Sequence, residues 1–546
     1  MTEFPDWTAF TSDETYHRGL DPLGLAAVGS RIVQRRLLPG ITDATRHIRY
    51  YSFFCWVFWT FWQNGKRGGR LSEQRNWRAR LENIMRAASL WGDPNIVELV
   101  GRRKTIRLAD MSPNAKIRID NFHVVSAFIP AFYSSSFRAL GCGKWTTDRG
   151  AQLTVFGEEL AKTFDFGMRG SAASRVVLPT ILTTERTITV KAVRIISEAI
   201  RIRAVQPVER EHSLLLELLF RLKTGSDQIS WQARSRSFAL LMEIVEQAQG
   251  TILSDNDFHR VFATSHLPNK RNFIVPVEFL QDFEIWKRYQ ERQYVKLSIY
   301  SFWHEVIQIL DYRPSKTASV QQMLSHFRGA LGKSSVVLEW FGRGCLRLNL
   351  GEVQELLRRR LRAKPHEFGN SAMALTETLM DIKRTSSERV GTAIVLLLFV
   401  SSYWTESQKQ LKESQLHREG GRSRLSLQSV ATDVGHMGSF VLPDYLQWIV
   451  ENYVFKQATK IAVEKLPDYR YFIVRDDNGY RLVKKQNPFS YLSYDPSRIQ
   501  SAFALMSELN LIHLSQGYRL TRAGRIVLQQ LRAHHSHART TSPPEN

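Results

Sequence analysis

Cysteine is scarce in this chain. Cys55, Cys142 and Cys345 are the only three in 546 residues, and none belongs to a Cys-x-x-Cys pair. This excludes a disulfide framework and a cysteine zinc site, and it suits a reducing compartment. Long apolar runs are missing too. Tyr50–Trp62 and Val390–Trp404 fall short of the roughly 20 residues a bilayer span needs, so no membrane partner is expected. The opening residues, MTEFPDWTAFTSDETYHRG, are acidic and polar and lack the charged-then-apolar order of a secretory signal, and a cytoplasmic location is the expectation.

Catalytic signatures are absent as well. Gly329-Ala-Leu-Gly332-Lys333-Ser334 comes nearest to a phosphate loop, but Phe327 stands where the first glycine is needed and no strand precedes it; the stretch reads as a helix end. His304-Glu305 opens like a zinc-protease helix, yet position 308 is Gln. The acid pairs Asp255/Asp257, Asp282/Glu284 (with Lys287 nearby) and Asp476/Asp477 lie in helix or turn patterns, where a solvated surface is the simpler reading than a metal-dependent nuclease site. His534, His535 and His537 fall in a tail read as disordered. No catalytic residue, metal ligand or cofactor is assigned.

Acidic residues are in deficit. Lys and Arg number 75 against 52 Asp and Glu, a formal charge of +23. Such a surplus attracts polyanions, and nucleic acid is the commonest in a cytosol. The alternative, a thin spread of charge that only aids solubility, fits less well because the cations cluster. With 43% hydrophobic residues, 13 Trp and 30 Phe, the composition is that of a globular protein with sizeable cores.

The stretch around which the chain is organised is Leu37–Trp62, LLPGITDATRHIRYYSFFCWVFWTFW. Pro39 and Gly40 end what precedes them. Thr42 or Asp43 is the expected N-cap of a new helix, and from Tyr50 onward almost no polar face remains, the pattern of a helix surrounded by protein. Arg46 and Arg49, three apart, would share a face and meet phosphates or pair with carboxylates inside the protein. Further cations follow in Lys66, Arg67 and Arg70 of a GKRGGR loop, and in Arg102, Arg103, Lys104 and Arg107.

The segment LLPGITDATRHIRYYSFFCW resembles a pattern of uncharacterised bacterial families, often encoded near mobile elements and anti-phage defence genes. The resemblance covers this short segment alone and implies a neighbourhood rather than a chemistry.

A second grammar occurs twice. After Leu140-Gly-Cys-Gly come Trp145, a polar turn and LTVFGEELAKTF; near the end, Ala504–Leu531 reads ALMSELNLIHLSQGYRLTRAGRIVLQQL. In both, a helix ends, an extended segment crosses a turn, and Leu-Thr-x-x-Gly opens another helix. Threonine would cap it and glycine would allow close packing. This resembles the last half of a winged helix-turn-helix domain, which implies DNA binding, with Arg519, Arg522 and Arg525 as contacts, or docking to protein.

Elsewhere helical spacing marks Asn121–Leu140, Arg210–Lys223, Ser230–Gln249, Pro276–Leu310 and Glu352–Leu361, with strand at Thr187–Val193 and a hairpin at Tyr469–Lys485. The fold class expected is mainly α: a multi-domain helical protein with a C-terminal winged helix-turn-helix and a few short hairpins. The expected division is an N-terminal helical domain over 1–170, a helical middle over 171–420, a helix, hairpin and winged-helix domain over 421–535, and a tail over 536–546. The function expected is a non-enzymatic nucleic-acid-binding or adaptor component of a bacterial anti-phage defence or mobile-element system, with DNA placed before RNA and partner proteins of the same system. A divergent nuclease or effector enzyme and a protein scaffold are the alternatives.

Overall fold

The computed structural model describes residues 21–63, 71–105, 108–119, 126–129, 132–146, 150–183, 185, 187–203, 209–222, 229–364, 367–408, 425–464, 473–483, 492–495, 497–514 and 517–541. Helices dominate these residues, and strands occur as short antiparallel pieces, so the chain is mainly α. No described helix is long and apolar enough to cross a membrane.

The described residues form two compact units, neither continuous in sequence. One is built from Leu38–Gly250 and Arg498–Asn546, the other from Tyr16–Leu37 and Thr251–Ser497. These divisions differ from a serial one at 170 and 420. The reason is that the last helix, Arg522–Thr541, packs on helix Ile229–Ala248, so the end of the chain completes a unit begun at residue 38.

The first unit is centred on the aromatic helix, Arg49–Gln63. Tyr50, Phe53, Phe54, Trp56 and Phe58 are fully buried. Phe164 of helix Val155–Met168 packs on Phe53 and Trp56, and Trp56 Nε1 donates to Asp165 Oδ1 at 3.0 Å. The helix starts later than Thr42 or Asp43. Thr42 instead closes a turn, donating its N–H to Thr45 Oγ1 at 3.0 Å while the Thr45 hydroxyl donates back to the Thr42 carbonyl at 2.8 Å. The amide just before the first turn is met from far away: Glu508 Oε2 accepts the Ile48 N–H at 2.8 Å, and its Oε1 lies 2.6 Å from His47 Nδ1. A carboxylate there also suits the positive end of the helix dipole. Burial alone would lower the His47 pKa, but the contact with Glu508 outweighs it and leaves the imidazole raised.

The helix–hairpin–helix grammar occurs twice in this unit. One copy joins Ser134–Ala139, strands Gly143–Thr146 and Gly150–Leu153, and helix Val155–Met168; the other joins Ile499–Glu508, strands Ile512–His513 and Arg519–Leu520, and helix Arg522–Thr541. The local bonds match. Thr154 Oγ1 accepts from Gly157 N at 3.1 Å and donates to Gly141 O at 2.6 Å, while Thr521 Oγ1 accepts from Gly524 N at 2.9 Å and donates to Asn510 O at 2.6 Å. Gly141 and Asn510 both adopt positive φ, at 76° and 55°, a conformation that asparagine tolerates better than most residues. A Cβ on Gly157 or Gly524 would lie well under 3.0 Å from the carbonyl oxygen of Cys142 or Leu511. Gly157→Ala and Gly524→Ala are therefore each expected to cost about 1–3 kcal/mol through forced backbone shifts. Urea midpoints would show it, with Gly329→Ala, whose Cβ meets nothing within 4 Å, as the unaffected control; equal midpoints for all three would sink the packing argument.

Several sequence expectations are corrected here. Within 121–140 the described helix is confined to Ser134–Ala139; Pro130 disfavours helix in the residue before it. Strand at Thr187–Val193 stops at Thr189, which pairs with Lys116 and then caps helix Val190–Ile200 by accepting from Ala192 N. The tail is ordered further than expected, because helix Arg522–Thr541 runs through Ser536. Val527, Leu528, Leu531 and His535 are its buried stripe, with His535 Nε2 3.1 Å from Ser235 Oγ. Burial, with Arg236 and His534 nearby, pulls the His535 pKa down to about 3.

The second unit is built on two long helices, Leu280–Tyr312 and Ser386–Gln408, the latter containing the apolar run from Val390. Where they face each other, the buried Glu305 pairs with Arg389 Nη1 at 2.9 Å and accepts the Ser386 hydroxyl at 2.6 Å. Burial would raise this carboxyl, yet hydrogen bonds from His326, Ser386 and Arg389 hold it down at about 2. The hairpin expected over 469–485 is present as Ile473–Asp476 against Gly479–Leu482, extended by Thr317–Ala318.

Candidate nucleic-acid interface

The first hairpin makes a groove. Its strand Gly150–Leu153 is held by two neighbours, the Gln74 side chain exchanging bonds with the Ala151 backbone at 3.1 and 3.3 Å and Trp62 Nε1 donating to Ala151 O at 3.2 Å, and strand Gly143–Thr146 pairs with it, Trp145 opposite Ala151. This sets Lys144 and Trp145 beside helix Leu71–Gly92, which carries Arg75 and Arg78. Arg138 comes from the short helix before the hairpin. Together with Phe128 these residues line a cleft of about 580 Å³, and no Asp or Glu is among its described lining residues.

Trp145 is 43% exposed, yet it stands on a rigid base. Its ring lies 6.2 Å from that of Phe128, which in turn packs on Phe54 and Phe58 of the aromatic helix at 4.8 Å each. Arg78 is the inner cation, with Nε 3.2 Å from Glu82 Oε1 and its guanidinium 5.4 Å from the Phe128 ring centre. Burial lowers its pKa against the pull of Glu82, and Arg75 and Arg86 add to the lowering. Arg75, Arg138 and Lys144 are exposed. The cleft thus offers an aromatic face flanked by cations, the pairing that holds a base and its phosphates.

Of the cations singled out from the sequence, none of the described ones lines this cleft. Arg49 is buried and spent inside the protein, donating to Glu211, Ala199 O and Arg201 O. It forms an internal ion pair, its side chain 8% exposed, which is the carboxylate-pairing reading of this residue. Arg46 lies 3.5 Å from Glu98 and donates to Gln500 and the Asp43 carbonyl; helix begins only at Arg49, so the two share no helix face. Arg102 donates to Pro94 O, and Arg103 is exposed. The side chain of Lys104, and Lys66, Arg67, Arg70 and Arg107, lie outside the described residues. In the C-terminal copy Arg525 pairs with Glu246 at 3.0 Å, Arg519 lies against Gly250, and Arg522 is exposed.

Arg138, Lys144 and Trp145 are not apparent as a site from sequence spacing; the available signal is a Lys-Trp pair on a strand too short to bury it. Another cationic run, Arg358–Arg362, is partly neutralised: Glu355 takes Arg359 and Arg362 at 3.1 Å, and Arg360 stacks on Trp340.

One acid of each pair has a definite place in the fold. Asp257 closes the capping box of helix Asp255–Thr264, Asp282 is buried on helix Leu280–Tyr312, and Asp476 ends a hairpin strand. Gly329–Ser334 is a helix end followed by the Ser334 cap of the next helix. Among the described residues no group of three or more His, Cys, Asp or Glu is placed to hold a metal ion. Compared with protein-family models, with curated proteins and with solved structures, the chain matches none.

Proposed function

We propose that this protein binds nucleic acid through the cationic, tryptophan-bearing cleft of its first unit, and acts as a binding or adaptor component. The observation that carries this reading is the convergence of Arg75, Arg78, Arg138 and Lys144 around exposed Trp145 with no carboxylate among the described lining residues. The net charge of +23 supplies the long-range attraction,, and exposed Arg103 and Arg522 offer further phosphate contacts.

The C-terminal copy, read as half of a winged helix, supports packing better than base reading. A recognition helix presents polar side chains to base edges, whereas Ile499–Glu508 buries Ile499, Ala502, Phe503, Leu505 and Met506. Membership of a bacterial defence or mobile-element system rests on the Leu37–Trp56 resemblance alone.

The test is binding of labelled nucleic acid across a salt series with magnesium present, followed by a check for cleavage. Three exposed cations at the cleft should give a slope of log affinity against log salt of about −2 on a single strand, and Lys144→Ala should make it shallower by about 0.7. Salt-insensitive binding, or none at low salt, would overturn the reading, and cleavage would replace it with an enzyme.

A further inference from the structure

We infer that the cleft takes an unpaired nucleotide, with its base on Trp145 and the adjoining phosphates on Arg75 and Lys144, so that the protein prefers single-stranded nucleic acid to duplex. The inference rests on the nucleic-acid-binding reading and narrows it to a substrate class.

Shape is the first argument. A duplex is read by something convex, a helix or a two-stranded ribbon that enters a groove roughly 12 Å wide. The cleft beside Trp145 is concave, and its volume of about 580 Å³ lies in the roughly 300–1,000 Å³ range of clefts that enclose a small-molecule-sized group. A paired base cannot enter such a cleft without leaving its stack, which costs a few kcal/mol; an unpaired one enters at no such cost.

The tryptophan is the second argument. A large aromatic at 43% exposure loses apolar burial unless something covers it. Its neighbour Phe128 is pinned from behind by Phe54, Phe58 and Phe137, with ring centres at 4.8, 4.8 and 5.2 Å, so the platform keeps its orientation without a ligand. Stacking on a preformed ring is the sequence-tolerant part of single-strand binding.

The polar lining is the third. Apart from its cations, the polar side-chain groups on the cleft lining are the hydroxyls of Ser134 and Ser135 and the indole N–H of Trp145,. This is too little to match the edge of one particular base, so preference among bases is expected to be small. DNA and RNA strands present the same stacking face and phosphates, and both are expected to bind.

The experiment uses the full chain and a 12-nucleotide labelled oligomer of mixed sequence, as single-stranded DNA, as RNA and as blunt duplex DNA, read by fluorescence anisotropy at low salt. Either single strand should bind at least about tenfold tighter than the duplex. Trp145→Ala should weaken single-strand binding about 5- to 150-fold, the equivalent of one lost stack, and leave duplex binding within about twofold. Trp145→Phe keeps a ring and should restore most of the loss, which separates stacking from misfolding. Crosslinking of the unaltered protein to an oligomer containing iodouracil should map to the strand Gly143–Thr146. Equal affinity for duplex, an unchanged Trp145→Ala variant, or a crosslink elsewhere would overturn this inference while leaving nucleic-acid binding standing. Absence of binding to all three oligomers would remove the broader proposal with it.

Discussion

Glu82→Ala should cost the first unit about 3–5 kcal/mol, the penalty for removing one partner from a buried ionic network. Glu82 is fully buried, accepts from three donors, Arg86 Nη2 at 2.6 Å, Ser126 Oγ at 2.6 Å and Ala127 N at 2.9 Å, and forms an ion pair with Arg78, whose Nε lies 3.2 Å away. Its loss strips the counter-charge from Arg86, itself 2% exposed, and unfastens the segment leading into Phe128. The cleft wall should loosen with it, so single-strand affinity should fall in the same variant. Glu82→Gln keeps the shape without the charge and should fall between the two. Urea unfolding would check this; a loss under about 1 kcal/mol would mean that water already reaches the network.

Glu305→Gln should destabilise the second unit by about 3 kcal/mol at neutral pH. The folded carboxyl titrates at about 2 against an ordinary value of 4.5, and each unit of difference is worth about 1.4 kcal/mol. Because the folded pKa is depressed, this stabilisation is fully present above pH 4.5 and is lost as pH falls towards 2. The gap between wild type and variant, measured by urea unfolding, should therefore narrow steadily as the pH drops below 4.5. A gap that does not change with pH would show that shape, and not the charge facing Arg389, is what Glu305 contributes.

What the sequence makes legible is what is local. The aromatic helix shows itself because its apolar residues leave no polar face, and the Leu-Thr-x-x-Gly turns show themselves because cap and glycine lie three residues apart. The start of the aromatic helix is misplaced because its carboxylate, Glu508, lies 460 residues from Ile48. For Arg49 the sequence leaves open a phosphate contact or an internal carboxylate, and only the fold names Glu211 as the partner. The cleft is assembled from separate segments around Arg75, Phe128, Arg138 and Trp145, and no periodicity along one segment can display such a meeting. The interleaved units are hidden in the same way, since the pairs Arg525–Glu246 and Arg532–Glu243 span 279 and 289 residues.

Those last pairs bear on how the protein comes off the ribosome. At roughly 5–20 residues per second, about 14–58 seconds separate the emergence of Glu243 and Glu246 from that of their arginines. Throughout that interval the face of helix Ile229–Ala248 that receives the final helix stands open, with Glu243 set among apolar side chains. Synthesis order therefore makes helix Arg522–Thr541 a completion step: the first unit reaches its native packing only after Arg525 and Arg532 have emerged.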